Sequence, residues 1–439
     1  MKNEIKDFVE KFLKYSNNKK IRVISHYDTD GICSAAILIK VLKRLRKEFS
    51  VRIIKGIEEE TIKEEIIKAE NEVLFFSDLG SSNLEYFNNL KSKIFIIDHH
   101  EINKNNLNEN IVIINPHINN NKNLCSSALC YLFAKEISEK NTDLAKIAIL
   151  GMIGDRHEKE ITKEYYEIIK ECKDIEIKKS LLIFSATRPL KRALEYSTNF
   201  YIPKITGSSE GVNELLKDLG ISQEKSLYEL DETETSKLIT KIILNIGRNF
   251  KEEEIIGNIF ITKFFNRKED MREISVIINA CSRLGYSDIA IAFCMEMESF
   301  YERAQEIYIK YRKELINSLK TIEELEKIRG NGFVIINGKE KIKDVLIGTI
   351  CSILSSSKFY ENGTILIGMA YNCNKIKISA RIVGKSEKNL KELLERAVIN
   401  IKAEVGGHKE AAGCLIRKED EEKFIEEIKK NLDIQIIKI

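Results

Sequence analysis

Three short apolar runs in the first hundred residues each stop abruptly at an ionisable residue. IRVIS (21–25) leads directly to His26, VLFFS (73–77) to Asp78, and IFII (94–97) to Asp98. Runs of this length, rich in β-branched and aromatic residues, fit strands buried on both faces, as in a parallel sheet covered by helices. Open parallel sheets form their sites beyond the carboxyl ends of the strands. Three distant segments are therefore expected on one edge of one sheet.

The flanking pattern completes an α/β arrangement. Strands are predicted at Ile21–Ser25, Val51–Ile54, Val73–Phe76, Ile94–Ile97 and Ile111–Ile114, and helices over Ile32–Leu45, Ser127–Ile137 and Leu144–Ile153. From about 176 to 330 the pattern turns mostly helical, with RPLKRALEYSTNFYIPKITG and a long charged helix near 297–328. A last α/β segment follows, with strands in GFVIIN, GTILIGMA and KIKISARIV and helices over 386–403 and 419–431. A chain of 439 residues exceeds one ordinary core and suits two or three domains. The expected organisation is a parallel-sheet domain (1–175), a mostly helical middle region (176–330) and a smaller C-terminal α/β domain (331–439).

No uncharged apolar run is long enough to span a membrane, and the N-terminus reads as an amphipathic helix rather than a signal peptide. The nine cysteines form no CxxC pair, which disfavours a zinc ribbon or a thioredoxin motif and fits reduced core thiols in the cytoplasm. A net charge of +3 points neither toward nucleic acid nor away from it.

Histidine is the informative count. There are six, and His26, His99, His100 and His408 stand in clusters rich in Asp or Gly. The clusters are His26-Tyr27-Asp28-Thr29-Asp30-Gly31, Asp78-Leu79-Gly80, Asp98-His99-His100-Glu101 and Gly154-Asp155. On extended backbone, alternate side chains share a face, so His26, Asp28 and Asp30 are expected to converge. A lone DxD is usually a helix cap or a solvated turn. Four clusters in order, three of them at strand ends, point instead to a metal centre. Two divalent ions ~3.5–4 Å apart need a bridging carboxylate and several oxygen and imidazole ligands. His26, Asp28, Asp30, Asp78, His99 and Asp155 supply that number. The mixed donor set favours Mn2+, with Mg2+ or Co2+ as alternatives. His117 and His157 are left outside the site, and no Gly-x-Ser-x-Gly elbow suggests a covalent nucleophile.

SHYDTDG, FSDLG, IIDHHE and GMIGD resemble the four motifs of the DHH phosphoesterase superfamily, in family order, and GGHKEAAG (406–413) resembles the GGH motif of the DHHA1 domain. Together they look like a RecJ-type single-strand exonuclease. ALEYSTNFYIPKITG and NACSRLGYSDIAIAFC resemble the archaeal, GINS-associated branch. The resemblance implies that His26, Asp28 and Asp78 hold one ion. Asp30, Asp78, His99 and Asp155 would hold the other, with Asp78 bridging. It makes Asp78 and His100 catalytic, with His100 donating to the scissile phosphate and Asp98 fixing a neighbouring imidazole. It assigns Arg381, Gly406, Gly407 and His408 to nucleic-acid phosphate. The implied activity is exonucleolytic hydrolysis of single-stranded DNA, and also RNA, by a metal-activated water in replication or repair. The alternatives are a hydrolase of short oligonucleotides or 3′,5′-bisphosphate nucleotides, and a replisome scaffold associated with GINS.

Overall fold

All five apolar runs of the N-terminal region are strands, and all run the same way. In the computed structural model they are β1 (Ile21–His26), β2 (Phe49–Ile54), β3 (Val73–Ser77), β4 (Ile94–Ile97) and β5 (Ile111–Ile114), ordered β2-β1-β3-β4-β5. The structure describes residues 2–56, 64–65, 72–87, 90, 92–102, 109–119, 124–183, 185–197, 202, 204–246, 255–356, 359–384, 386–401, 403, 405–407 and 409–433. β3 and β4 are buried at every position, which explains their lack of polar alternation. The register pairs Ser25 with Ser77, Ser77 with Ile97 and Ile97 with Ile114. Four strands therefore end level, and the residues after those ends share one row.

The chain divides into two compact units, residues 1–198 with 202–308, and residues 199–201 with 309–439. In the first, α1 (Lys2–Tyr15), α2 (Thr29–Arg44), α3 (Ser126–Ile137) and α4 (Ala145–Gly154) contribute to the main core. Phe8 and Phe12 of α1 meet Phe75, Phe95 and Phe133 at ring separations of 5.3–6.0 Å, mostly edge to face. The opposite sheet face packs Ile24, Leu74, Phe76 and Ile96 against Leu84 and Phe87.

After α5 (Lys163–Glu171), the middle region is helical, with α6 (Leu190–Glu195), α7 (Ser209–Leu219) and α8 (Glu232–Ile246). It also holds an antiparallel sheet that the sequence reading left out: β6 (Ile175–Leu181), β7 (Ile256–Phe264) and β8 (Arg267–Asp270), ordered β6-β7-β8. β6 reads IEIKKSL and buries only its last two residues, so its charged positions hid the strand. α9 (Met271–Arg283) and α10 (Ser287–Cys294) then pack against α2. This second layer is why thirteen of the sixteen α2 residues are buried. α11 (Tyr301–Glu324) follows.

The second unit carries β9 (Lys327–Gly330), β10 (Phe333–Asn337), α12 (Asp344–Ser356), β11 (Ile365–Asn372), β12 (Lys375–Ile382), α13 (Leu390–Ala397), β13 (Val405–Gly407), β14 (Ala411–Arg417) and α14 (Glu421–Asp433). Its mixed sheet runs β13-β14-β12-β11-β10-β9, with β10 and β11 parallel and the other pairs antiparallel. α13 is shorter than the 386–403 expected, because Asn389 caps its N-terminus by accepting from the Lys391 and Glu392 amides. Among the described residues, no helix is long and apolar enough to cross a membrane.

Two glycines of α4 set its approach to α2 and α3. A Cβ at Gly151 would lie 2.0 Å from Ser127 Oγ and 2.5 Å from Asp30 Oδ1, and one at Gly154 would lie 2.7 Å from Thr29 Cβ. Gly151→Ala is expected to lower unfolding free energy by ~1–3 kcal/mol in denaturant titration, through overpacking. Gly56→Ala, with nothing within 4 Å, is expected to stay within about 0.5 kcal/mol of the parent. Equal stabilities for the two variants would contradict this packing.

Candidate metal centre

The first cluster sits on a strand end and a helix start, not on extended backbone throughout. His26 is the last residue of β1. Asp28 is the N-cap of α2, and its Oδ1 accepts from the Gly31 amide at 3.0 Å. The cap starts the helix at Thr29, three residues earlier than expected, so Asp30 already lies in its first turn. Gly31 is required by contact rather than by a turn: a Cβ there would sit 2.3 Å from the His26 carbonyl oxygen. Thr29 Oγ1 donates to the Ser275 carbonyl at 3.1 Å and ties this corner to α9.

Asp78 follows β3 in the left-handed region, with φ +60°. Aspartate tolerates this conformation better than most residues. Its amide still donates to the Ile97 carbonyl at 2.9 Å, and the side chain is 1% exposed. The two carboxylate oxygens face different imidazoles. Oδ2 lies 3.3 Å from His26 Nδ1, and Oδ1 lies 3.4 Å from His99 Nε2. His26 Nδ1 is also 3.0 Å from Asp28 Oδ2, and His99 Nε2 is 3.3 Å from Asp155 Oδ2. Asp78 thus stands between two groups of donors, the place a bridging carboxylate would occupy.

Among the described residues, three sets of potential ligand atoms lie within 4.8 Å of one another: His26, Asp28 and Asp78; Asp78, His99 and His100; and His99, Asp155 and His157. His26 Nδ1, Asp78 Oδ2 and Asp155 Oδ2 are buried and face ionisable neighbours at 3.0–3.3 Å without a well-formed hydrogen bond. Buried polar atoms are normally satisfied, so such orphans need an explanation. Hard carboxylate and imidazole donors, with three atoms unspent, fit divalent cations.

The electrostatics agree. Burial lifts the Asp30 carboxyl to about 7, reinforced by the charge of Asp78. Asp155 is also held well above its usual range, by burial and by the charges of Asp30, Asp28 and Asp78. Burial opposes charge on His99, but hydrogen bonding to Asp78 and the surrounding carboxylates outweigh it and raise it to about 9. The same balance, led by Asp28, raises His26. Asp28 moves down despite burial, because His26 and the Gly31 amide favour its anion. Without cations, this crowd of carboxylates holds protons in their place.

Asp30 stands apart from the three sets. Its oxygens accept from the Ser126 and Ser127 amides at 2.7 and 3.0 Å, at the N-terminus of α3. Asp98 is fully buried. Its Oδ1 accepts from the His99 amide (2.8 Å) and lies 2.7 Å from His100 Nδ1, while Oδ2 accepts from the Ser81 amide (2.9 Å). The imidazole it orients is therefore that of His100. Asp98 in turn raises the His100 pKa against the opposing effect of burial.

Sequence reasoning missed the scaffold of these ligands. Ser126 Oγ donates to Asp78 Oδ1 at 2.9 Å, and Asn115 Nδ2 donates to Ser81 Oγ and to the His100 carbonyl at 2.8 and 2.9 Å. It also left out His157, which joins a ligand set, whereas His117 joins none among the described residues. The one available signal was the polar pair Ser126-Ser127 opening a helix that is apolar from Ala128 to Ala134. In the second unit, Arg381 Nε donates to Ser352 Oγ at 3.0 Å. Arg381 pairs with Ala411 and Gly407 with Ala412, which puts Arg381 and the glycine pair at one end of the sheet. Gly407 has φ +122°, and a Cβ there would meet the Ala411 carbonyl oxygen at 2.4 Å. His408 lies outside the described residues.

Residues 20–154 match the N-terminal domain of the DHH family, residues 183–257 the DHH-CID domain, and residues 309–433 the DHHA1 domain. The chain carries DHH, DHH-CID and DHHA1 domains. An uncharacterized protein of Methanocaldococcus jannaschii is 29% identical over 428 residues, covering 93% of this chain and 92% of that one. Among solved structures, RecJ from Thermus thermophilus in complex with Mn2+ is similar with TM-score 0.60 and 15% identity, over 97% of this chain. The DHH–DHHA1 chain spans about half (54%) of that protein's length. An exonuclease RecJ bound to manganese gives TM-score 0.59 at 15% identity, over 97% of this chain and 93% of that one. CDC45 from Entamoeba histolytica gives TM-score 0.69 at 15% identity, over 98% and 99%. At these identities what is shared is the fold.

The DHH–DHHA1 centre carries a pH prediction. Asp30 and Asp155 bind protons more tightly folded than unfolded, so they favour the metal-free fold at low pH. For Asp30 that contribution is lost as pH rises through about 7. Cations replace those protons. The rise in melting temperature on adding Mn2+ is therefore expected to be larger at pH 7.5 than at pH 5.5, by differential scanning fluorimetry. An equal rise at both pH values would contradict the proton–cation exchange.

Proposed function

We propose that this chain is a metal-dependent exonuclease that hydrolyses phosphodiester bonds of single-stranded DNA, and of RNA as a second substrate, in the cytoplasm. The observation that carries the reading is Asp78, whose two oxygens face two different imidazole–carboxylate groups. His26, Asp28 and Asp78 would hold one ion, and Asp30, Asp78, His99 and Asp155 the other, with Mn2+ favoured over Mg2+ or Co2+. Bound, such a pair lowers the pKa of a water and neutralises phosphoryl oxygens.

The chain's own groups do the rest. Ser126 orients Asp78, and Asp98 accepts from His100 Nδ1 and favours the protonated ring, whose Nε2–H is then the donor presented to a phosphoryl oxygen. Arg381, Gly406, Gly407 and His408 are proposed to hold a second phosphate, where backbone free of Cβ lets amides approach closely. Thiol catalysis finds no support: burial keeps Cys33, Cys125 and Cys130 well above the usual thiol range. The division into a DHH domain (1–175), a connector (176–330) and a substrate-binding DHHA1 domain (331–439) belongs to the same proposal.

A second reading has an observation of its own, the fold similarity to CDC45. It makes the chain a replisome component that binds GINS. A pull-down recovering GINS, with no effect of added GINS on cleavage, would favour this scaffold role.

On end-labelled single strands with Mn2+, Asp78→Ala is expected to abolish cleavage while the circular dichroism spectrum stays native. His100→Ala is expected to slow cleavage ~10²–10³-fold. Cleavage by Asp78→Ala in chelator-treated, Mn2+-reloaded protein would remove the hydrolase reading. A 20-mer is expected to be cut faster than a dinucleotide; the reverse order would select the short-oligonucleotide hydrolase.

A further inference from the structure

We propose that His157 is a further cation ligand of this centre, acting through Nε2 beside His99 and Asp155 and oriented by Tyr165. The inference rests on the two-cation reading above and adds a residue that the four DHH motifs do not contain.

The backbone brings His157 to the site by a sharp turn. Asp155 ends α4 as its C-cap, and Arg156 takes the left-handed conformation, φ +61°. An arginine rarely adopts that region, so the turn needs holding by its surroundings. Its effect is to return the chain toward the ligands. A ring nitrogen of His157 lies within 4.8 Å of ligand atoms of both His99 and Asp155, and the His99 and His157 rings are 6.3 Å apart.

Nδ1 of His157 has a protein partner. His157 Nδ1 lies 2.8 Å from Tyr165 Oη, and Tyr165 is 1% exposed. Burial pushes that phenol far above its ordinary range, so it stays neutral. Tyr165 Oη accepts from the Cys125 amide at 2.7 Å. In the proposed arrangement the remaining lone pair accepts from His157 Nδ1–H, the tautomer in which Nε2 is the basic nitrogen a cation would take. An imidazole whose far nitrogen donates to a fixed oxygen is the usual arrangement of a metal-bound histidine.

The chemical consequence is a nitrogen-richer donor set at the ion held by His99 and Asp155. Imidazole donors favour Mn2+ or Co2+ over Mg2+, so His157 would set metal preference at one of the two positions.

The test uses the full chain, stripped of metal and titrated with Co2+ by calorimetry and visible absorption. Parent protein is expected to bind two ions. His157→Gln is expected to weaken one of the two at least ~10-fold and alter its Co2+ spectrum, leaving the other unchanged. Tyr165→Phe is expected to weaken the same ion by less. Pulsed EPR of the Mn2+-loaded parent counts coordinated imidazole nitrogens without any variant, and three or more are expected across the pair. Two binding events in His157→Gln with parental affinities and spectrum, and only two imidazole nitrogens in the parent, would overturn the assignment of His157 alone. Failure of the parent to bind a pair of ions would overturn it together with the two-cation reading.

Discussion

Repulsion among buried carboxylates is the constraint around which the N-terminal unit is arranged. Asp28, Asp30, Asp78, Asp98 and Asp155 all stand near the edge where four parallel strands end level. Each burial disfavours the anion, and neighbouring carboxylates disfavour it further at Asp30 and Asp155. The fold answers part of this with fixed dipoles. Asp30 meets two amides at the start of α3, Asp28 meets an amide of α2, and Asp98 meets the Ser81 and His99 amides. Asp78 and Asp155 each keep a buried oxygen that meets no amide or hydroxyl donor and faces an imidazole at 3.3 Å. That residue of uncompensated charge is what divalent cations would neutralise.

The rigid surroundings follow from the same need. A site of crowded charges must be held against its own repulsion. α2 carries Asp30 and is buried between the sheet helices and α9–α10. Gly31, Gly151 and Gly154 let backbones meet where a methyl group would push a ligand aside. These contacts explain why the middle region, as far as residue 308, belongs largely to the same compact unit as the parallel sheet.

Much of this was legible in the sequence because it is local. VLFFS and IFII have no polar alternation, so they announce buried strands, and Asp78 and Asp98 follow directly. The parallel sheet, the helical middle and the C-terminal mixed α/β unit follow from such patterns. What escaped depends on partners far apart in the chain. Ser126 reaches Asp78 across 48 positions, and Asn115 reaches Ser81 across 34. His157 gains its place from a left-handed Arg156 and from Tyr165, neither of which has a motif. Asp28 and Asp30 were expected on extended backbone, yet capping by Asp28 pulled the helix start forward to Thr29. β6 escaped because its lysines and glutamate face solvent, leaving a pattern shared with surface helices.

The most direct measurement is anomalous diffraction from crystals of the chain soaked in Mn2+. Two peaks ~3.5–4 Å apart, one on each side of the Asp78 carboxylate, are expected. A single peak, or a pair that does not flank Asp78, would contradict the central claim.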